Sequence, residues 1–557
     1  MKQSPVDHPA LLRYRDEAAT NPCGYPDLHA HLQSLAREGL LVVVDEPINK
    51  DTEMHPLVRW QYRGGIPENQ RKAFLFTQPT DSKGRRYDCS VLVAGLAANR
   101  DVYRIGFGRP LDDIGGVWVK AIGSPIPPRE VESAPCHDVI AIGDALDRDG
   151  AALDGLPVPI STPGWDNAPY LSAGHYITKD PDTGVQNVGN YRGQLKTPRR
   201  LGMNPSVELR AGIYSHWLKY KARGEPMPCA VVVGCPPVVS YAAVQKMPEH
   251  LDELAVAGGL AGSAINVVKC KTVDLLVPAE AEIVIEGFID TAELEPEAPF
   301  GESHGYVNLQ EYNAFMNVTA ITRRRNPVLT SFISQVAPSE SSVIRRVAME
   351  PLFLNHLRSA LSIKGVKRVS MHEPLTNLYA VIAVQFERGV PDTEVWRALY
   401  GASTLHRFAG KWVIAIDEDI DPDNADALFW AMSYRCQPQH DIKVLEHKDP
   451  GHGPRGPRDN GESAAVLINA LLKSRTAPVA LPKREFMERA KVIWDRIGLP
   501  PLSPEAPWHG YDLGYWPAEL ARQAELATRS EYFSLGLEFA KQRRADVAMN
   551  APVDREN

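Results

Sequence analysis

Two carboxylates, Glu297 and Glu302, lie five residues apart in the stretch Glu-Ala-Pro-Phe-Gly-Glu-Ser-His-Gly-Tyr at 297–306. Paired acids held in one cleft are a usual source of a shifted pKa, and hence of a proton donor. On a flat strand these two positions would face opposite sides. Pro299 sets its own φ and Gly301 permits backbone angles that other residues avoid, so a bend between the acids can turn both into one pocket. The same residues also fit solvated charges on a loop, and spacing alone favours that plainer account.

A second group lies at 186–192, Gln-Asn-Val-Gly-Asn-Tyr-Arg, after a turn carrying Asp-Pro and Thr-Gly signals. Arg192 suits bidentate capture of a carboxylate and can pair with Glu297 or Glu302; read alone, it is an ordinary surface arginine. Glu253 lies in an acidic patch at a helix start, where negative charge is commonplace. Taken together, Asn187 and Glu253 are oxygen donors from separate segments, a set that suits a hard cation such as Mg²⁺ or Mn²⁺ beside a phosphate. Dinucleotide-binding, Walker-type, His-Glu-x-x-His and Gly-x-Ser-x-Gly signatures are absent. Gly258-Gly259-Leu260-Ala261-Gly262 has no following Lys-Ser/Thr and reads as a helix-packing segment.

The elements that must position these residues follow from pattern. At 557 residues the chain exceeds one core and is expected to form two to four domains. A hydrophobic fraction of 44% and a charged fraction of 23% are those of a globular protein. The net charge of −8 and the lack of a basic block with interleaved aromatics exclude a nucleic-acid grip; Arg323-Arg324-Arg325 reads as a solvated strand end. No apolar run is long enough to cross a bilayer, so no membrane partner is expected. Seven scattered cysteines without Cys-x-x-Cys argue for reduced thiols in a cytoplasmic protein.

Asp27 can cap a helix with Leu28, Leu32 and Leu35 on one face, followed by a strand at 40–44 and an apolar run at 90–94. This gives an N-terminal α/β domain over 1–140. Short β-rich runs at 230–234, 265–268, 282–287 and 313–322, broken by Gly and Pro, indicate a sandwich or barrel-like β domain over 141–325. A strand at 328–336 and a helix at 341–360 open a C-terminal α/β domain over 326–450. It continues with strands at 377–385 and 412–416 and helices at 392–401 and 424–434. A Gly, Pro and Arg-rich linker at 451–461 leads to helices at 484–497 and 517–541, so 451–557 is a linker and helical extension. The fold class is thus α/β (α+β), multidomain, with a central β-rich domain carrying every polar group above.

Taken in order, these pieces resemble the UbiD family of reversible decarboxylases, which use prenylated FMN. The carrying residues are Asn187 with Arg192, Glu253, the stretch 267–287, Lys411 to Asp421, and above all Glu297-Ala298-Pro299-Phe300-Gly301-Glu302 with Gly305-Tyr306. The resemblance runs to about residue 440. It implies a split β-barrel-like cofactor domain and a Glu-Arg-Glu network. In that network Glu302 is the proton donor that replaces departing CO₂, Arg192 orients the substrate carboxylate, and Glu297 tunes the arginine. It implies cofactor contacts at Asn190, Tyr191, Arg192, Gln245, Met247, Pro248 and Lys411. It also implies Mn²⁺ or Mg²⁺ held at Asn187 and Glu253, with K⁺ beside it.

The family's third metal ligand is usually a histidine, and here Glu208 or Leu209 falls at that point, with His216 several residues later. Glu208 is an oxygen donor able to stand in for the imidazole. The resulting expectation is a carboxy-lyase for an aromatic or heteroaromatic acid, forming CO₂ and working as a homo-oligomer, with a flavin prenyltransferase as cofactor supplier. The alternatives are a decarboxylase of α,β-unsaturated acids, a non-catalytic flavin-binding assembly subunit, and a cofactor-free hydrolase built on the carboxylate pair.

Overall fold

The computed structural model describes residues 8–553 except 21–22, 208–210, 249–250, 373–378, 408, 450–461, 474–476, 514–515, 546, 550 and 552. Near the N-terminus the helix Leu28–Arg37 is capped by Asp27, whose carboxylate accepts from the Ala30 N–H, and it buries Leu28, Leu32 and Leu35 as the spacing predicts. It packs by a four-stranded sheet in the order Leu41–Asn49, Ala73–Thr80, Ser90–Val93, Val328–Ser331. The fourth strand corrects the sequence expectation. Residues 328–331 do not open the C-terminal domain; they pair in parallel with Ser90–Val93, and the segment after Ser331 leaves the strand. All four residues are buried although the strand forms an edge of this sheet.

Between these strands the chain builds a nine-stranded sheet. Its path runs Tyr170–Leu171, Gly193–Thr197, Arg200–Met203, Phe315–Arg323, Ile283–Ile289, Met227–Val233, Gly174–Lys179, Gln186–Asn190, with Val139–Ile142 also paired to Phe315–Arg323. The sheet curls into a half-barrel. Its apolar residues feed two cores: Val231, Ile283 and Ile285 on one side, Ala230, Val232 and Val284 on the other, the alternation expected of a sheet covered on both faces. The helix Glu253–Ala261 lies on the second core. A Cβ on Gly258 would lie 2.5 Å from the Ile126 carbonyl and one on Gly259 would lie 2.9 Å from Ala121, so this glycine run does serve helix packing.

Arg324 also departs from expectation. It is no solvated strand end: it is 1% exposed and ion-paired with Asp27 at 3.0 Å and Glu282 at 3.4 Å. Two buried acids from different segments make a buried guanidinium tolerable there, and no local pattern announces them.

Helix Glu340–Asn355, capped by Ser339, leads to a five-stranded sheet ordered Val366–Met371, Val381–Phe386, Trp412–Asp417, Ser463–Ala470, Ile442–Lys448. Residues 463–470, assigned to the extension from sequence, are instead an inner strand of this sheet. Their apolar run Val466-Leu467-Ile468 is what burial between two neighbours requires. The expected linker at 451–461 falls outside the described residues. Asp423 ties this domain to the rest, meeting Arg346 and Arg368 at 2.5 Å and Arg100 at 3.6 Å. Helices Arg484–Arg496, Ala518–Thr528 and Tyr532–Lys541 follow and bury almost none of their side chains. No helix among the described residues is long and apolar enough to cross a membrane, and all seven cysteines are free.

Candidate active site

Arg192 stands between the strands Gln186–Asn190 and Gly193–Thr197 and is 8% exposed. Its Nε donates to Glu297 Oε1 at 2.8 Å and its Nη2 to Glu297 Oε2 at 2.6 Å, while Nη1 donates to Glu302 Oε1. The guanidinium therefore holds both carboxylates that the motif places five residues apart. Burial disfavours its charge, but the bonds to Glu297 and the charge of Glu302 outweigh that and raise its pKa. Glu297 is fully buried and also accepts from Asn313 Nδ2 at 3.2 Å. The Phe300 ring lies 5.3 Å from the guanidinium carbon.

The bend between the acids is made by two short hairpins, Glu295–Glu297 with Glu311–Asn313 and Phe300–Gly301 with Val307–Asn308. Ala298, with φ 79°, precedes a cis peptide to Pro299, and the chain turns there. Gly301 plays a different part from the one its type suggests. Its φ is not positive; a Cβ there would lie 2.2 Å from Thr162 Oγ1, so close packing calls for glycine. Gly305, with φ 95°, is the glycine of this segment that uses the left-handed region. Asp166 secures the segment, accepting from the Gly301 N–H at 2.8 Å and the Thr162 N–H at 2.7 Å. Asn167 Nδ2 donates to the Ala298 carbonyl at 2.7 Å. These supports sit outside the motif or far from it in sequence, so spacing could not have shown them.

Beside this network opens a cavity of about 460 Å³, within the range of small-ligand and cofactor sites. Asn187, Asn190, Tyr191, Arg192, Gln245, Met247, Pro248, Glu253 and Glu302 all line it, so residues named from separate segments converge. Lys411 does not: it is exposed and its ammonium donates to Ser463 Oγ at 2.7 Å. Ser172, Asn204, Arg345, Tyr379 and Arg407 also line the cavity, and none carried a signal in sequence. Among the described residues, three lining side chains keep a buried polar atom without a hydrogen-bond partner: Asn187 Nδ2, Asn190 Oδ1 and Gln245 Nε2. Such atoms cost free energy when left unmet, and a polar ring system and phosphate seated in the cavity would meet them. The residues thus fit a flavin-type group.

Glu253 is the first residue of its helix and its Oε2 accepts from the Val188 N–H at 2.8 Å, which sets it against the peptide that follows Asn187. Burial pushes its carboxyl up to about 7, with that hydrogen bond opposing. A buried carboxylate beside an amide suits a hard cation. Glu208 lies outside the described residues, and among the described residues no three His, Cys, Asp or Glu side chains gather as a metal cluster. His216 is buried and bonded through Nδ1 to Thr178 Oγ1 at 2.9 Å.

Two family models match the chain: the UbiD 3-octaprenyl-4-hydroxybenzoate carboxy-lyase Rift-related domain over residues 129–336, and the C-terminal domain of the same carboxy-lyase over 343–460. Together they span more than half of it. The chain belongs to the UbiD family. It is a UbiD-type carboxy-lyase, and its fold matches solved members of that class. The UbiD-class enzyme HmfF from Pelotomaculum thermopropionicum in complex with FMN is 27% identical with a TM-score of 0.73, over 84% of this chain and 100% of that one. An evolved dimeric form of HmfF in complex with prFMN is 27% identical with a TM-score of 0.70, over 82% and 97%. The closed form of vanillic acid decarboxylase from Sedimentibacter hydroxybenzoicus, at 23% identity, shares the fold with a TM-score of 0.70 over 85% and 99%.

Proposed function

We propose that the protein reversibly decarboxylates an aromatic or heteroaromatic carboxylic acid with prenylated FMN, and that Glu302 is the proton donor. The observation that carries this reading is Arg192 on the cavity wall, bonded at once to Glu302 on the same wall and to the buried Glu297. Loss of CO₂ from an sp² carbon leaves an electron pair with nowhere to delocalise, and prenylated FMN supplies the electron sink when bound. Asn190, Tyr191, Gln245, Met247 and Pro248 would line its seat, and Asn187 with Glu253 would hold a divalent ion against its phosphate.

The chain's own side chains do the rest. Arg192 has five N–H donors and spends three on the two glutamates, leaving two for the substrate carboxylate. Glu297 takes two donors from Arg192 and keeps the fork in one orientation. When the bond to the carboxylate carbon breaks and CO₂ leaves, the ring carbon must take a proton in its place. Glu302 then delivers its proton to that carbon and is reloaded from solvent.

The test uses protein co-expressed with a flavin prenyltransferase, with CO₂ release followed on a panel of aromatic and acrylic acids. The expected result is prenylated FMN released from both the unmodified protein and Glu302→Gln, with turnover of aromatic acids lost at least ~100-fold in the variant. Turnover of acrylic acids alone would move the substrate class. Retained activity in Glu302→Gln, or an inert panel with cofactor in place, would overturn the reading.

A further inference from the structure

Asn190, on the cavity wall, is backed by a buried imidazole outside the site described so far. His175 lies on the strand Gly174–Lys179 and is the direct cross-strand partner of Asn190, so their side chains stand together on one face of the sheet. His175 is 1% exposed, and its ring lies 6.4 Å from that of Phe332, another residue of the cavity wall. Its Nε2 meets Ser240 Oγ at 2.8 Å, and Ser240 Oγ meets the buried Cys235 Sγ at 3.2 Å. Asn190 Nδ2 donates to the Ser172 carbonyl at 3.2 Å. Ser172 is pinned in turn: its hydroxyl accepts the Phe332 N–H at 2.8 Å and bonds Ser331 Oγ at 3.1 Å, which meets His55 Nε2 at 2.9 Å.

The direction of these bonds follows from the atoms left over. With its NH₂ on a carbonyl, the Asn190 amide has only Oδ1, an acceptor, to offer elsewhere. Among the described residues, Oδ1 and His175 Nδ1 are both buried without a hydrogen-bond partner. Two bare acceptors side by side and out of water would repel and stay unmet. A hydrogen on Nδ1 removes that conflict, and Nε2 then accepts from Ser240, whose own oxygen accepts from Cys235. The Cys235 thiol can play that part because burial pushes it up to about 12 and so keeps its hydrogen in place. Burial also keeps His175 neutral, holding it down to about 4, and the Asn190 side chain opposes that fall, as an amide oxygen beside the ring does.

We infer that His175 is a positioning residue for Asn190: it donates through Nδ1 to Oδ1 and so fixes the amide as a hydrogen-bond acceptor at the cofactor seat. A slight turn of either side chain closes that bond. An amide oxygen has two lone pairs, so Oδ1 held by His175 keeps one for an N–H of the seated group. A flavin ring carries such an N–H between two carbonyls on its pyrimidine edge, and an amide free to flip would offer that edge a donor or an acceptor without preference. The assignment rests on reading the cavity as a flavin seat and adds what orients one of its walls.

The experiment measures FMN binding to full-length, cofactor-free protein by quenching of flavin fluorescence, with Mn²⁺ and K⁺ supplied, for His175→Phe, His175→Asn, His175→Gln and Ser240→Ala. An asparagine places its NH₂ near where the Nδ1 hydrogen stood, whereas a glutamine reaches the Nε2 position and gives Asn190 no donor. His175→Phe and His175→Gln should weaken FMN binding roughly 5- to 10-fold, as the loss of one hydrogen bond does, and His175→Asn should stay within about twofold of the unmodified protein. Ser240→Ala is milder and should weaken binding about two- to fivefold by releasing the ring. Added to Asn190→Ala, His175→Phe should weaken binding no further, because it acts through that amide. Thermal midpoints taken alongside separate this role from packing. A residue that only filled space would make affinity follow the midpoint, with the Asn and Gln variants weakened alike. That result, a full effect of His175→Phe in the Asn190→Ala background, or unchanged affinity in Ser240→Ala would each overturn the assignment. If the unmodified protein binds FMN yet turns over no acid once loaded with prenylated FMN, the decarboxylase reading fails and the role of His175 stands. If the unmodified protein binds no FMN, the seat is overturned, and this assignment with it.

Discussion

Arg192 and Glu297 form a buried ion pair whose worth depends on staying whole. Desolvating two charges costs several kcal/mol per ion, and the fork-to-fork geometry with the added Asn313 bond offsets this. Replacing Arg192 by Met should therefore leave Glu297 uncompensated and lower the unfolding free energy by about 3–5 kcal/mol. Glu297→Gln in the same chain should recover part of that, which denaturant midpoints of the single and double variants would check. Arg192→Lys keeps the charge but loses the planar fork; on the function proposed above it should cut turnover by at least ~100-fold while cofactor retention persists. At this scale the sequence was legible in residue type and order. The bond partners Asn313, Asp166 and Asn308 were not, because a hydrogen bond across the chain leaves no periodic trace.

The elements that follow local rules are those the pattern revealed. The Asp27 cap, the amphipathic face of Leu28–Arg37 and the helix start at Glu253 are set by neighbours three or four residues away. The 295–313 segment obeys other constraints. Gly301 is glycine because Thr162, far away in sequence, fills the space a Cβ would take. Gly301→Ala should thus destabilise by roughly 1–3 kcal/mol as an overpacked site and displace the hairpin that carries Glu302. Adding Thr162→Ala should restore much of the stability. Thermal midpoints for the two variants and their combination measure this directly, and no recovery in the combination would show that backbone freedom matters at 301 after all.

For the molecule as a whole, burial of neutral imidazoles sets an acid limit. His31 and His55 are fully buried, and desolvation holds their pKa down to about 4 and about 3. Their pKa in the unfolded chain is higher, at 6.5, so the unfolded state binds more protons between those values. The stability they contribute is present above pH 6.5 and is lost as pH falls through 4. Unfolding free energy should drop on the order of 3 kcal/mol per histidine across that window. Denaturation midpoints measured from pH 7 to pH 4 should show a shallower fall for His31→Gln. Domain limits belong to this scale too. Val328–Ser331 returns to the N-terminal sheet and Ser463–Ala470 enters the C-terminal one, pairings made with strands hundreds or tens of residues away.

By itself the sequence determined the residue types able to do the chemistry, their order, the family they signal and the helices and strands with clear periodicity, since all of these rest on neighbours along the chain. Only the tertiary structure decided that Arg192 lies buried between Glu297 and Glu302, that Arg324 is buried between Asp27 and Glu282, and that Lys411 stays off the cavity. A charge's surroundings are a sum over every segment folded against it. Burial and pairing at those positions therefore emerge only once the sheets have closed.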